Sequence, residues 1–179
     1  GQWDLAIADL NKAIELDPNL AVAYKKLAEV YDSRGSAHGM KGQLDLAVAD
    51  LSKAIEVDPT LAIAYYKRGT IYTKMEQWDL AIADLNKAIE LDPDFAKAYN
   101  NRGSAYSNSG QYDLAIADLS KAIELNPDYA LAYYNRGNTY YQKKQADLAI
   151  ADYNKVLELS GDPDLVEAAK QRIEELTDK

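Results

Sequence analysis

Residues 79–93 read DLAIADLNKAIELDP, and residues 4–18 read the same fifteen letters. Residues 45–59 read DLAVADLSKAIEVDP and residues 113–127 read DLAIADLSKAIELNP, while a weaker fifth copy, DLAIADYNKVLEL, spans 147–159. Pro59, Pro93 and Pro127 recur every 34 residues. Self-similarity at a fixed period of this size marks a repeat architecture and decides the fold before composition does. In the copy at 79–93, Leu80, Ile82, Leu85, Ile89 and Leu91 fall at helical spacing on one broad face, and Ala81, Ala83 and Ala88 supply small contacts. The Asp-Pro or Asn-Pro pair ends each helix, because proline cannot continue the hydrogen-bond ladder and pushes the residue before it out of the helical region. A second apolar-periodic segment follows each proline, at 62–74, 96–108 and 130–143. Each unit is therefore helix, turn, helix. Neither helix can bury its stripe alone, so the units must stack.

The columns of this repeat are regular. An aromatic stands at Tyr65, Tyr99 and Tyr133, a glycine at Gly69, Gly103 and Gly137, and a tyrosine at Tyr72, Tyr106 and Tyr140. The second helix opens on Trp78, Tyr112 or Ala146, then places alanine at Ala81, Ala115 and Ala149 and again at Ala88 and Ala122. Glycine and alanine let two helix backbones approach, and the rings fill the volume beside them. With the 34-residue period, these columns resemble the tetratricopeptide repeat (TPR) family over essentially the whole chain. The resemblance implies an all-α fold, a right-handed α-solenoid of antiparallel helix pairs, and a non-enzymatic scaffold for protein–protein interaction. The expected array is an orphan second helix at 1–17, a repeat with a seven-residue helix insertion at 18–58, repeats at 59–92, 93–126 and 127–160, and a C-terminal capping helix at 161–179.

Three departures from the pattern matter. Residues 1–17 have no first helix, so the face containing Trp3, Ala6 and Leu10 is expected to be poorly covered and to seek a partner. Gly1-Gln2-Trp3-Asp4 read as the middle of a repeat, so the chain is expected to be a piece of something longer. Pro18 and Pro59 lie 41 residues apart, seven more than the period. Two registers fit the intervening helix: Tyr24 with Ala28, or Tyr31 with Gly35. Seven residues are two helical turns, so an insertion within the helix keeps nearly the same face inward. One long helix from about Leu20 to Met40 is expected; a hinge at Gly35, Gly39 and Gly42 is the alternative. Such a helix could offset the stack or let chain halves exchange between molecules. After Leu159, Asp162-Pro163 opens a last amphipathic helix with Leu165, Val166, Ala169, Ile173 and Leu176 on one side and charges, Arg172 among them, on the other.

Composition narrows the function. The chain has 179 residues, 47% hydrophobic, enough for a sizeable core. Its net charge of −9 argues against nucleic acid as a partner, since an acidic surface repels phosphate. Apolar runs of four or five residues are far too short to span a membrane, and no signal peptide is evident. The absence of cysteine rules out disulfides and thiolate metal sites and fits a reducing compartment, which favours the cytoplasm. His38, the one histidine, stands in the column of Tyr72, Tyr106 and Tyr140 and reads as a packing residue, so no histidine-based metal site or triad is expected. Asp9, Asp50, Asp84, Asp118 and Asp152 recur once per repeat and are expected to balance the column of Arg68, Arg102 and Arg136. No catalytic residues, cofactor or metal are expected.

In the family the first helices line the inner groove. Here the second helices are near copies of one another, whereas the first helices vary at their non-packing columns. Those columns hold Val22, Lys25, Lys26, Glu29, Asp32 and Ser33; then Ile63, Tyr66, Lys67, Thr70, Thr73 and Lys74; then Lys97, Asn100, Asn101, Ser104, Ser107 and Asn108; then Leu131, Tyr134, Asn135, Asn138, Tyr141 and Gln142. Five lysines against two acids leave this face at +3 on an acidic chain, which favours an acidic peptide or a free C-terminal carboxylate. Asn101 and Asn135 share a column and suit a peptide backbone, and Tyr66, Tyr134 and Tyr141 can flank apolar side chains. The family's carboxylate clamp for chaperone tails does not fit, because Lys25 is followed by Glu29, Lys67 stands where an asparagine belongs, and Lys97 pairs with Asn101 rather than with an arginine. Peptide or protein binding in the groove is the leading expectation. The alternatives are a self-associating scaffold, a homodimer through Trp3, Ala6 and Leu10 or through the long helix, and a substrate-recruiting region of a larger enzyme.

Overall fold

The computed structural model describes residues 1–177, so the last two positions of the expected cap, 178 and 179, lie outside the described residues. Among the described residues there are ten helices and no strand: α1 (Gln2–Leu16), α2 (Ala21–Met40), α3 (Leu44–Val57), α4 (Ala62–Lys74), α5 (Trp78–Leu91), α6 (Ala96–Asn108), α7 (Tyr112–Leu125), α8 (Ala130–Gln142), α9 (Ala146–Leu159) and α10 (Pro163–Thr177). They fall into two compact units, Gly1–Pro93 and Asp94–Lys179, each an all-α helical-repeat stack of the solenoid type.

In the first unit α2 packs on α3, α4 on α5, α3 on α4, and α1 on α2. Its core holds Ala47, Leu51, Ala54, Ala64 and Ile71. In the second unit α6 packs on α7, α7 on α8, α8 on α9 and α9 on α10. Its C-terminal core gathers Ala149, Tyr153, Val156 and Ala169, with Tyr133, Tyr134, Leu165 and Ile173 against them.

The helix boundaries follow from local chemistry. The carboxylate or amide before each proline folds back on the chain: Asp17 Oδ1 accepts from the Asn19 N–H at 3.0 Å, Asp58 Oδ1 from Thr60 at 2.9 Å, and Asn126 Oδ1 from Asp128 at 3.2 Å. This turn satisfies backbone donors that the proline stop exposes. First helices end instead on a left-handed residue, Gly42, Glu76, Gly110 or Lys144. The next N–H then reaches back to the helix, as Gln77 does to the Tyr72 carbonyl at 2.9 Å and Gln145 to Tyr140 at 2.9 Å.

The two helices of a repeat approach closely because the first carries glycine where the second presents leucine. A Cβ placed on Gly103 would lie 2.7 Å from Leu119 Cγ, and one on Gly137 would lie 2.8 Å from the Tyr153 ring. No larger residue fits at this separation. Beside each glycine sits the arginine that the repeated aspartates were expected to balance. The guanidinium of Arg68 donates to both oxygens of Asp84, each at 2.7 Å. Arg102 does the same to Asp118 (2.6 and 2.6 Å), Arg136 to Asp152 (2.8 and 2.8 Å), and Arg34 to Asp50 (2.9 and 2.6 Å). Tyrosine rings flank the cations, Tyr65 and Tyr72 lying 6.0 and 5.9 Å from Arg68. The hydrogen bonds to Asp84 and Asp152 hold Arg68 and Arg136 above the ordinary guanidinium range despite their burial. A third guanidinium bond reaches the second helix of the repeat before: Arg68 Nη1 to Ser52 Oγ at 2.8 Å and Arg136 Nη1 to Ser120 Oγ at 2.9 Å.

Helix α2 has 20 residues where α4 has 13, a difference of two turns, and it stays helical through Gly35 and Gly39. Its arginine shows the consequence. The α1 residue in the column of Ser52 is Asn11, yet Arg34 Nη1 bonds Asp4 Oδ1 at 2.5 Å, seven residues nearer the N-terminus. Two extra turns of α2 carry its Arg-Gly pair about 10 Å further along its antiparallel neighbour. His38 packs in the tyrosine column, with Nδ1 2.7 Å from Gln43 Oε1 and Nε2 3.7 Å from Asp50 Oδ2.

Because Asp84 is 7% exposed, removing it strands the Arg68 cation in a largely dry site. The Asp84→Ala substitution is expected to lower unfolding free energy by about 3 kcal/mol, whereas the apolar pair Arg68→Met with Asp84→Leu recovers most of that loss. Urea unfolding followed by circular dichroism measures both, and an unchanged midpoint for Asp84→Ala would remove the pair's structural role.

Candidate binding surfaces on the first helices

Each unit presents the polar side of its first helices as a separate surface. In the first unit Tyr66, Lys67, Thr70 and Lys74 of α4 meet Gly35, Ser36, Gly39 and Met40 of α2 around a cleft of about 210 Å³, floored by Leu51 and Ile71. Gly39 stands where α4 carries Thr73, and Ile71 packs against it, its Cδ1 3.0 Å from where a Gly39 Cβ would lie. Lys67 Nζ donates to Asp32 Oδ2 at 2.7 Å across the two helices. Asp32 Oδ1 is buried with no hydrogen-bond partner, so this carboxylate is incompletely satisfied. Thr70 Oγ1 turns back to the Tyr66 carbonyl at 2.8 Å.

The expected positive excess takes a defined form. Lys67 pairs with Asp32, and Lys26 lies 3.7 Å from Glu29. Lys25 and Lys74 in the first unit and Lys97 in the second are exposed and make no ion pair among the described residues.

In the second unit the asparagine row needs correction. Asn100 was expected to face a ligand; it is 1% exposed and fully engaged. Its Nδ2 donates to Asn101 Oδ1 at 3.1 Å, and its Oδ1 accepts from Asn135 Nδ2 at 2.9 Å. A side chain this short, on a column turned toward the neighbouring first helix, is spent on holding Asn101 and Asn135 in place. Asn138 is held from behind, its Oδ1 accepting from the Tyr153 hydroxyl at 2.8 Å. Tyr153 replaces the leucine of Leu51, Leu85 and Leu119, and its ring lies 5.9 Å from that of Tyr134 at 52°. Burial pushes the Tyr153 hydroxyl well above the usual phenol range, so it stays a donor. Asn108 donates to the Ser104 carbonyl at 2.9 Å.

The front of Asn138 opens into a cleft of about 330 Å³ lined by Ser107, Asn108, Tyr112, Asn138, Tyr141, Gln142 and Arg172. Sequence reasoning placed Arg172 on the polar outside of the cap. Instead its guanidinium lies 5.0 Å over the Tyr141 ring, with Nη1 2.9 Å from Glu175. The long stem of arginine lets a residue at the flank of an amphipathic helix lie along apolar surface and deliver its charge to the cleft. The cleft lining is rich in donors and contains no carboxylate.

On α1, Trp3 is 40% exposed, Ala6 and Leu10 are half-exposed, and no residue of the helix is buried. Among the described residues no group of three or more His, Asp and Glu side chains could hold a metal, and no helix is long and apolar enough to cross a membrane.

Family models for the tetratricopeptide repeat match residues 96–129 and 130–163, and TPR repeat models match 1–35, 35–76 and 69–110. Among solved structures the chain is similar to YrrB, a TPR protein with an unusual peptide-binding site, at 29% identity over 95% of this chain and 84% of that one, with a TM-score of 0.73. It is similar to MamA at 31% identity over 88% and 82%, TM-score 0.67, and to the TPR domain of Arabidopsis OM64 at 26% identity over 66% and 98%, TM-score 0.65. No curated protein sequence matches the chain.

Replacing Tyr153 by phenylalanine keeps the ring and strips Asn138 of its buried donor. Tyr153→Phe is expected to cost about 1 kcal/mol of stability at neutral pH. In the native protein the hydroxyl's contribution is complete below the ordinary tyrosine range and is lost as pH rises past it. The gap between the two proteins should therefore close at strongly alkaline pH in denaturant titrations.

Proposed function

This chain belongs to the tetratricopeptide repeat family, and from that premise we propose that its first-helix surfaces hold an extended segment of a partner protein, one with acidic residues or a free C-terminal carboxylate. The TPR fold supports a protein–protein interaction scaffold, and TPR proteins bind protein or peptide partners. They are generally non-enzymatic, and we read this chain in the same way. The observation that carries the ligand class is the donor-rich cleft before Asn138. It offers amide and hydroxyl groups and the guanidinium of Arg172, which also bonds Glu175 just outside the lining. Donors converging in a partly enclosed site favour an anionic group over a neutral one. The exposed Lys97 adds the same sign of potential on α6. Asn101 and Asn135, positioned by Asn100, are suited to a peptide backbone and so to reading main chain rather than side chains. In the first unit, Lys74 at the rim of an apolar cleft is suited to an apolar side chain beside an acidic one. The existence of a peptide-binding site on YrrB supports the reading.

Self-association is the second reading, favoured by the uncovered α1; the exchange route is less favoured, because α2 packs on α3 of its own chain. Light scattering separates them, since a dimer that survives dilution supports self-association. Recruitment on behalf of a larger enzyme would use the same surfaces.

A partner segment identified by pulldown with the intact protein provides the test. Arg172→Gln is expected to weaken its binding about ten-fold, the value of one charge-assisted hydrogen bond. The loss should shrink when the segment's acidic groups are neutralised or its C-terminus is amidated. Asn101→Ala with Asn135→Ala should abolish capture. Isothermal titration of these variants, with circular dichroism as the folding control, decides it, and undiminished binding by all of them would sink the groove reading.

A further inference from the structure

Two hydrogen bonds join neighbouring first helices in the same way. In the first unit Lys67 Nζ donates to Asp32 Oδ2 at 2.7 Å, and in the second Asn135 Nδ2 donates to Asn100 Oδ1 at 2.9 Å. Asp32 and Asn100 share one column of the 34-residue repeat, and Lys67 and Asn135 share the next. The bond is therefore a brace between adjacent repeats, an ion pair in one unit and an amide pair in the other. In the second unit the spare atom of the brace is also used, Asn100 Nδ2 donating to Asn101 Oδ1 at 3.1 Å. Ser33 stands in the column of Asn101, and Asp32 Oδ1 is left buried with no hydrogen-bond partner. Lys67 is thus the one ion-pair partner, among the described residues, of a carboxylate already short of hydrogen bonds. Drawing it onto a ligand would strand Asp32, a cost that one exposed ion pair does not offset.

Lys74 differs on each count. It lies two turns further along α4, lines the same cleft, is exposed and makes no ion pair among the described residues. Its column holds Met40, Asn108 and Gln142 in the other first helices, so it is the one cation there. The cleft beside it is floored by Leu51 and Ile71.

We propose that this cleft seats one apolar side chain of the partner segment and that Lys74 alone reads the acidic residue next to it, Lys67 serving as a positioning residue for the cleft wall. The inference rests on the reading that the first-helix surfaces hold a partner segment. The partner's chemistry follows from the lining. Leu51 and Ile71 offer no hydrogen bond to an incoming side chain, so the floor favours leucine, methionine or phenylalanine over a polar residue. Asp32 and Lys67 cancel, so the cleft carries a single net positive charge. One acid beside the apolar side chain is matched, a base is repelled, and a second acid finds no cation here.

The probe is an acetylated and amidated hexapeptide, Gly-Ser-Leu-Asp-Ser-Gly, titrated into the whole chain with its isoleucine δ1 methyls labelled for NMR. Ile71 lies in the cleft floor, so its methyl reports occupancy directly and should shift saturably. Exchanging the peptide's leucine for alanine should weaken binding about ten-fold, as for roughly two buried methylenes. Exchanging its aspartate for asparagine should weaken binding about three-fold, as for an exposed ion pair. Lys74→Gln should abolish that preference, whereas Lys67→Met with Asp32→Leu should retain it. Ser36→Phe, on the α2 wall, should block the Ile71 shift. Circular dichroism checks the fold of each variant. A preference that survives Lys74→Gln, or that vanishes with the change at Lys67 and Asp32, overturns the assignment of the two lysines. Equal binding of aspartate, asparagine and lysine peptides means apolar adhesion only and overturns it as well. Shifts confined to Ile116, Ile123, Ile150 or Ile173 of the second unit leave the groove reading standing and overturn this inference. Silence of every isoleucine methyl counts against both.

Discussion

The fork between one arginine and one aspartate organises each repeat. An ion pair in a partly buried site rarely adds much net stability, because desolvation consumes the Coulombic gain. Its role here is to set register. Helices joined by small-residue contacts can slide or rotate past one another at little cost, since glycine, alanine and leucine are not strongly directional. A guanidinium that must meet both oxygens of one carboxylate, between two tyrosine faces, permits a single alignment. The bond from Arg68 to Ser52, matched by that from Arg136 to Ser120, extends the constraint to the preceding repeat. One side chain thus fixes three helices, and the surface of the first helices inherits that precision.

The same constraint explains why the long helix does no damage. Two additional turns keep the packing stripe of α2 facing its neighbours, with a drift of only ~20° per heptad. The Arg-Gly pair of α2 remains in register with Asp50 on α3, and the mismatch appears only on the α1 side, where Arg34 takes Asp4 in place of a residue two turns on. Glycines inside α2 weaken it as an isolated helix, but packing on α3 outweighs propensity, and Gly35 is buried there.

The parts of the fold that depend on columns were legible in the sequence. The period gave the helix pairs, the proline stops and the Arg–Asp pairing, because each feature is repeated and its packing environment repeats with it. The site was legible only in part, because it is built from the positions where the repeats differ. Asn100 occupies the column of Tyr66 and Tyr134, and no pattern says that the smallest of the three turns inward to brace its neighbours. The approach of Ile71 to Gly39 depends on the neighbouring helix, and in sequence the glycine reads only as a helix-weakening residue. Arg172 lies outside the repeat altogether, in a helix that begins directly on its proline instead of three residues later. A periodic argument has no purchase on it, and its contact with Tyr141 depends on where a long flexible stem finds apolar surface.

The identical α1 and α5 set a sharper limit. Seventeen shared letters give a helix in both places, yet Ala81, Asp84, Leu85 and Ala88 are buried in α5 while the same four positions, Ala6, Asp9, Leu10 and Ala13, are half-exposed or exposed in α1. Secondary structure here is a property of the segment, while burial is a property of what the segment meets. In a repeat array the two are usually confounded, since each helix has the neighbours its copies have. The first helix of this chain separates them.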